Sequence, residues 1–205
     1  SPPIPGLLVR CASPQSDPFR LQRFAQLIPS RDEKNEQPIK FIIPKEHFAT
    51  RTFTVFGTPC QQHPTKGPLL QRGDVVLTHG PDGQWRVAVI HPANAPATCD
   101  ENVLAIRPKG LSGHVLARLM LHPIFLHQLM PYSTPGHFSN LFRERLMMAV
   151  LPIQKAQLSN LNDWGTRLAA ATDECHILGN AIAREVDKVA TDWSSERPIG
   201  KAHDH

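Results

Sequence analysis

The sequence predicts an α+β protein, made of a small mixed α/β domain followed by a long C-terminal coiled-coil helix. Three observations predict this class. Short runs of β-branched and aromatic residues lie between turns in the first half of the chain, and apolar residues follow at helical spacing after residue 112. Near the C-terminus an apolar residue recurs at every seventh position. The 205 residues suffice for one domain of roughly 150 residues and an appendage.

Four segments follow from these patterns: a flexible lead-in at 1–17, a domain at 18–153, a helix at 154–193 and a flexible tail at 194–205. The lead-in is rich in proline and serine. Residues 1–153 contain 16 Lys/Arg and 10 Asp/Glu, a net charge of +6, whereas the helix contains 4 and 6, a net charge of −2. The domain is therefore the basic part, and such a charge suggests a nucleic acid as partner.

The domain is predicted to begin with a short helix, because apolar residues within 21–28 recur at helical spacing before Pro29. Two short strands are predicted at 39–43 and 50–56, where β-branched and aromatic residues are frequent. A loop rich in Gly, Pro and Gln occupies 57–68.

The clearest unit is the strand, loop and strand predicted over residues 69–90. A Gly73-Asp74 turn leads into an apolar strand, a glycine-rich turn follows at 80–83, and the chain returns at 85–90. The two glycines of that turn could hold a phosphate, although many hairpins contain such a pair.

A further strand at 103–107 leads into two predicted helices within 112–130, with His122-Pro123 marking the break between them. A last strand is predicted at 146–151, where an apolar run ends before a proline.

The final helix has a heptad pattern over about five repeats. The first seam line comprises Leu161, Leu168, Cys175, Ile182 and Val189, and the second has apolar residues at Leu158, Val186 and Trp193. Gly165, Thr172 and Gly179 lie on the second line, so a partner helix must approach closely there. The alternative is a long helix that lies flat on its own domain.

The sequence lacks the common motifs of catalysis and metal binding. The sequence has no GxGxxG, phosphate-binding P-loop or HExxH motif, and its four cysteines form no CxxC pair. Asp100 and Glu101 are adjacent, so on a strand they point to opposite faces. His122 and His127 are off the spacing that places two ligands on one helical face. We therefore expect no catalytic residue, metal or cofactor, and reduced cysteines.

No run of about 18 apolar residues is present, so no membrane-spanning segment is expected. The first residues lack the pattern of a signal peptide, and a cytoplasmic location is expected.

The ordered series of motifs resembles the target-recognition domain of the specificity subunit of type I restriction-modification enzymes. In that family a Gly-Asp strand is followed by a small-residue loop, a strand, helices, a Gly-containing polar segment and an exit near Pro and Gln. The matching segments here are Gly73-Asp74, 80–83, 111–130, 136–141 and 146–152 with Gln157. The resemblance covers roughly residues 18–193. Two features depart from the family. A full specificity subunit resembles two such halves joined in one chain, whereas this chain has one domain and one helix. Its exit segment LPIQKAQ also differs from the usual Pro-Pro-x-x-x-Gln.

The resemblance implies a non-catalytic half-subunit that dimerises through its helix, or a fragment of a longer subunit. It would direct a methyltransferase subunit, with a restriction subunit as a further candidate partner, to a bipartite site in double-stranded DNA. The candidate phosphate contacts are Lys45, Arg51, Lys66, Arg72, Arg86 and Lys109. The candidate readers of base edges are Gln61, Gln62, His63, His79, Gln84 and Arg86.

Three alternatives stay open. The chain could be a protein-interaction adaptor whose basic face is incidental, a DNA-recognition component of another bacterial defence system, or an enzyme of unrecognised type. Salt-dependent DNA binding would distinguish a DNA reader from an adaptor.

Overall fold

The computed structural model describes residues 19–30, 39, 41–43, 54–55, 58–59, 67–79, 84–91, 95–99, 102–134, 137–153 and 157–196. Its strands are β1 (Ala25–Leu27), β2 (Phe41–Ile43), β3 (Thr54–Val55), β4 (Thr58–Pro59), β5 (Val75–His79), β6 (Trp85–Ile90), β7 (Ala97–Cys99) and β8 (Leu104–Pro108). Its helices are α1 (Leu21–Phe24), α2 (Gly113–Met120), α3 (Pro123–Leu129), α4 (Asn140–Met148) and α5 (Leu158–Glu196). The predicted α+β class with a long C-terminal helix is confirmed.

The described strands form two sheets. The larger has the order β1-β8-β5-β6-β3, with β5 antiparallel to both of its neighbours. The smaller has the order β4-β2-β7, in which β2 and β7 are parallel. The strand, loop and strand unit predicted at 69–90 is the β5-β6 pair, which lies inside the larger sheet.

Successive residues of β5 point to opposite faces of the sheet, and both faces are covered. Val75 and Leu77 belong to an apolar cluster that includes residues of α2, α3 and α4. Val76 belongs to a second cluster, with Ile43 of β2 and Cys99 of β7. All five residues of β5 are buried as a result. The larger sheet is therefore the middle layer between helices and the smaller sheet.

The break predicted between two helices at His122-Pro123 is confirmed. His122 caps α3, because its ring nitrogen Nδ1 accepts a hydrogen bond from the backbone N–H of Ile124 at 3.3 Å. Pro123 takes the first helical position, where its missing N–H is no loss. Ser112 caps α2 in the same way, through the N–H of His114.

Three predictions of secondary structure are wrong. The loop predicted at 57–68 contains β4, which forms because it pairs with β2. The strand predicted at 146–151 is replaced by α4, which begins where Ser139 Oγ accepts from the N–H of Phe142 at 3.1 Å. Phe142 and Leu146, four residues apart, are its buried positions, a spacing that a short apolar run does not reveal. The helix predicted at 21–28 ends at Phe24, and the chain continues as β1 because it pairs with β8.

The chain divides into two compact units, Ser1–Thr166 and Arg167–His205, and the division falls within α5. The first turns of α5 therefore belong to the first unit. Leu158 and Leu161 pack against its main apolar cluster. Within the described residues, no helix combines the length and apolar character needed to cross a membrane.

Candidate nucleic-acid interface

The Gly73-Asp74 turn is held by a buried carboxylate. Gly73 has a φ of +80°, a backbone conformation that favours glycine. Asp74 is 1% exposed, and its two oxygens accept from Arg107 Nε at 3.0 Å and Nη2 at 2.9 Å. The backbone N–H of Gln71 donates to the same carboxylate at 2.6 Å. These bonds lock the turn and fix where β5 begins.

Arg107 is the partner of Asp74 in this turn, a pairing that the sequence did not reveal. Its guanidinium also donates to the carbonyl of Leu69 at 3.2 Å. The hydrogen bond to Asp74 raises the pKa of Arg107, which stays charged. Because that charge is paired with Asp74, Arg107 adds little to any attraction of phosphate.

Two of the predicted DNA contacts lie at the end of the sheet where β5 begins and β8 ends, here called the turn end. Arg72 lies within the turn, and Lys109 follows β8; both are exposed. The backbone N–H of Lys109 donates to the carbonyl of Phe24 at 2.6 Å, which brings the exposed Arg23 to the same end. The turn end therefore has three exposed basic side chains.

Three other predicted contacts lie at the opposite end, here called the hairpin end, where β5 ends and β6 begins. Gln84 is exposed, Arg86 is half-buried and His79 is buried. In the strand register Thr78 faces Arg86, and Asp74 is aligned with Arg107, so the two ends are roughly 15 Å apart. The structure therefore separates the five predicted contacts that it describes into two groups.

His79 lies in an aromatic cluster at the hairpin end. Its ring centroid is 3.9 Å from that of Trp85 and 5.7 Å from that of Phe138. Its Nε2 is 2.9 Å from Ser133 Oγ, while its Nδ1 is buried without a hydrogen-bond partner. At 6% exposure the ring offers no edge to a DNA groove in this structure, and burial lowers its pKa.

We predict that acidification destabilises the fold through His79. A lowered pKa means that the folded protein favours the neutral ring, so the stabilisation is complete above the unfolded value of about 6.5 and is lost as the pH falls below it. Thermal unfolding between about pH 8 and about pH 5.5 should show this loss. In His79→Gln, which keeps a polar group near Ser133 but does not titrate, the midpoint should depend less on pH. Equal pH dependence in both proteins would contradict the prediction.

The start of α5 is fixed to the start of α2. Asn162 Nδ2 donates to the carbonyl of Gly110 at 2.9 Å, and its Oδ1 accepts from the N–H of Ser112 at 3.3 Å. A Cβ atom at Gly165 would lie 2.6 Å from Ser112 Oγ and 2.7 Å from a methyl group of Val115. The close approach predicted at Gly165 is thus made by its own domain, and its assignment to a seam with a second helix is wrong.

Farther along α5, within the second unit, the predicted seam residues are exposed in the single chain. Leu168 is 43% exposed, Ile182 64% and Val186 60%. Cys175 is also exposed and has a free thiol. Val189 and Trp193 lie on the helix, but the structure does not describe their side chains.

Six predicted DNA contacts lie outside the described residues: Lys45, Arg51, Gln61, Gln62, His63 and Lys66. The glycine-rich turn at 80–83 and the pair Asp100-Glu101 lie outside them as well. In the part of the chain that is described, no three His, Cys, Asp or Glu side chains come together as metal ligands.

The architecture defines a class: a mixed α/β domain whose last helix continues for 39 residues. No protein-family model and no curated protein matches the sequence. The fold is similar to that of the HsdS subunit from Thermoanaerobacter tengcongensis, with 14% identity and a TM-score of 0.50 over 89% of this chain and 50% of that one. It is also similar to a chain of a type I R-M system solved to explain complex assembly and conformational transition, with 16% identity and a TM-score of 0.52 over 91% and 50%.

This chain therefore spans half the length of each of these two structures. The resemblance to specificity subunits of type I restriction-modification enzymes, predicted from the ordered series of motifs, is confirmed for the fold.

Proposed function

We propose that this chain is a sequence-specific DNA-binding half of a type I specificity subunit, which directs a methyltransferase complex to a bipartite site. The likeness of its fold to half of HsdS supports the proposal as an analogy. The proposal rests chiefly on the charge of the domain. Its described residues up to Ile153 include nine Lys/Arg and two Asp/Glu, a difference of +7. One of the two acids, Asp74, is buried against Arg107, so exposed positive charge predominates.

In this proposal the domain reads one half-site, and α5 pairs with the helix of a second copy to set the distance between half-sites. A helix rises about 1.5 Å per residue, so its length would determine that spacing. Phosphate contacts are assigned to Arg72 and Lys109 at the turn end and base contacts to Gln84 and Arg86 at the hairpin end. Cleavage and methylation are assigned to partner subunits, and the chain itself is proposed to be non-catalytic.

A selection from random duplexes tests this function. Duplexes bound by the full chain are separated by gel shift and sequenced, and we expect a short sequence motif to be enriched. Arg86→Ala should reduce the discrimination between bases at one position of the motif by about 1–3 kcal/mol. Lys109→Ala should weaken binding to all duplexes by the same factor. Enrichment of no motif, or equal effects of the two substitutions, would overturn the assignment.

A protein-interaction adaptor is the second candidate. It is favoured by exposed apolar side chains in the second unit, such as Ile177 at 64% and Leu178 at 62%. An adaptor would bind its partner without DNA and would enrich no duplex, so the same selection distinguishes the two candidates.

A further inference from the structure

Arg20 is an almost completely buried cation, 8% exposed, just before α1. Its Nη1 donates to Met148 Sδ at 3.4 Å, and its Nε is buried without a hydrogen-bond partner. No ion pair joins it to an acid in the described ranges. Arginine does not lose its proton in proteins, so a full positive charge is enclosed here with weak compensation.

Among the described residues, the local structure supplies only partial negative charge to Arg20. Arg20 lies beside the C-terminal end of α4, where the backbone N–H of Leu21 donates to the carbonyl of Ala149 at 2.9 Å. A helix C-terminus is equivalent to about half an elementary negative charge. The sulfur of Met148 is only a weak acceptor. A carboxylate would satisfy this guanidinium far better than either group.

The surface around Arg20 combines exposed apolar side chains with a hydrogen-bonded glutamine. We define the Arg20 surface as Arg20, Ile124, Gln128, Met148 and Val150. Gln128 exchanges two hydrogen bonds with the backbone of Val150, at 2.9 and 3.0 Å, and also donates to the carbonyl of Ile124 at 3.1 Å. Val150 forms a β-bridge with Arg20. Met148 and Ile124 are 40% and 42% exposed, so apolar side chains of this surface face solvent.

We propose that the Arg20 surface docks a protein segment that presents a carboxylate flanked by apolar side chains. The carboxylate would pair with the charge of the Arg20 guanidinium, and the flanking side chains would cover Met148 and Ile124. Arginine and methionine are enriched at the buried centres of protein interfaces. A DNA backbone fits less well, because successive phosphates need several cations and Arg20 is the one charged residue of the five. Docking of a peptide at the Arg20 surface is distinct from DNA reading and does not depend on it.

A stability comparison tests whether Arg20 is kept for a partner or for the fold. Arg20→Met keeps the length of the side chain beside Met148 and removes the uncompensated charge. We expect the thermal midpoint of the full chain to stay the same or to rise. The matched control is Arg107→Met, which leaves Asp74 buried without its partner and should lower the midpoint. A loss in Arg20→Met as large as in the control would show a structural role and overturn the inference.

A binding selection identifies the occupant. Displayed random peptides are selected on the full chain and depleted on Arg20→Met. We expect peptides with Asp or Glu between apolar residues, and at least tenfold weaker binding of each to the variant. Failure to enrich acidic peptides would overturn the inference. So would a tenfold loss of affinity of Arg20→Met for random duplex DNA, because that result would make Arg20 a phosphate contact.

Discussion

Affinity for duplex DNA should fall roughly a thousandfold when salt rises from about 50 to about 200 mM. Each phosphate neutralised by the protein contributes about −0.9 to the slope of log affinity against log salt. The described domain has nine basic residues, of which Arg20 is buried and Arg107 is paired with Asp74. If the protein makes about six phosphate contacts, some of them from residues that the structure does not describe, the slope is about −5. Fluorescence anisotropy of a labelled duplex over this salt range measures it.

The control for this prediction uses the turn end. Arg72→Gln combined with Lys109→Gln removes two exposed charges without touching the Asp74–Arg107 pair. The slope should then be less steep by about two. DNA binding that does not depend on salt would contradict the proposed DNA-binding function and favour the protein-interaction adaptor.

The sequence predicts those parts of the fold that depend on local pattern. The Gly-Asp turn before β5 follows from a glycine and a run of apolar residues, and the break before α3 follows from Pro123. The helix α4 is not predicted because its apolar run is short. The helical spacing of Phe142 and Leu146 becomes evident only once both side chains are seen packed in the core.

Contacts between distant segments explain why the candidate site was predicted only in part. Asp74 meets Arg107 because Val75 is in register with Ile106, and no local pattern specifies that register. The separation of the predicted contacts into two ends of the sheet has the same cause. Gly165 fits a heptad by its spacing, but its neighbour Ser112 lies far away in the sequence.

Substitution of Leu168 and Ile182 together by Asp should abolish the proposed self-association and leave the first unit folded. Both side chains are exposed in the single chain, so their loss removes little packing from the fold. In a dimer each would bring a carboxylate into an apolar seam, which costs several kcal/mol per charge. Every 1.4 kcal/mol weakens association about tenfold, so a loss of at least about 100-fold is expected. Sedimentation velocity measures association, and thermal unfolding reports on the fold.

Ile177 provides a matched control for this substitution, because it is as exposed as Ile182, at 64%. It lies five residues before Ile182 and nine after Leu168, so at 100° per residue it projects from roughly the opposite side of α5. Ile177→Asp should therefore leave the sedimentation coefficient of the assembly unchanged. If Ile177→Asp dissociates the protein and the double substitution does not, the helices associate through the other face. If both variants leave association intact, α5 is not the dimer contact, and the half-subunit arrangement proposed here is wrong.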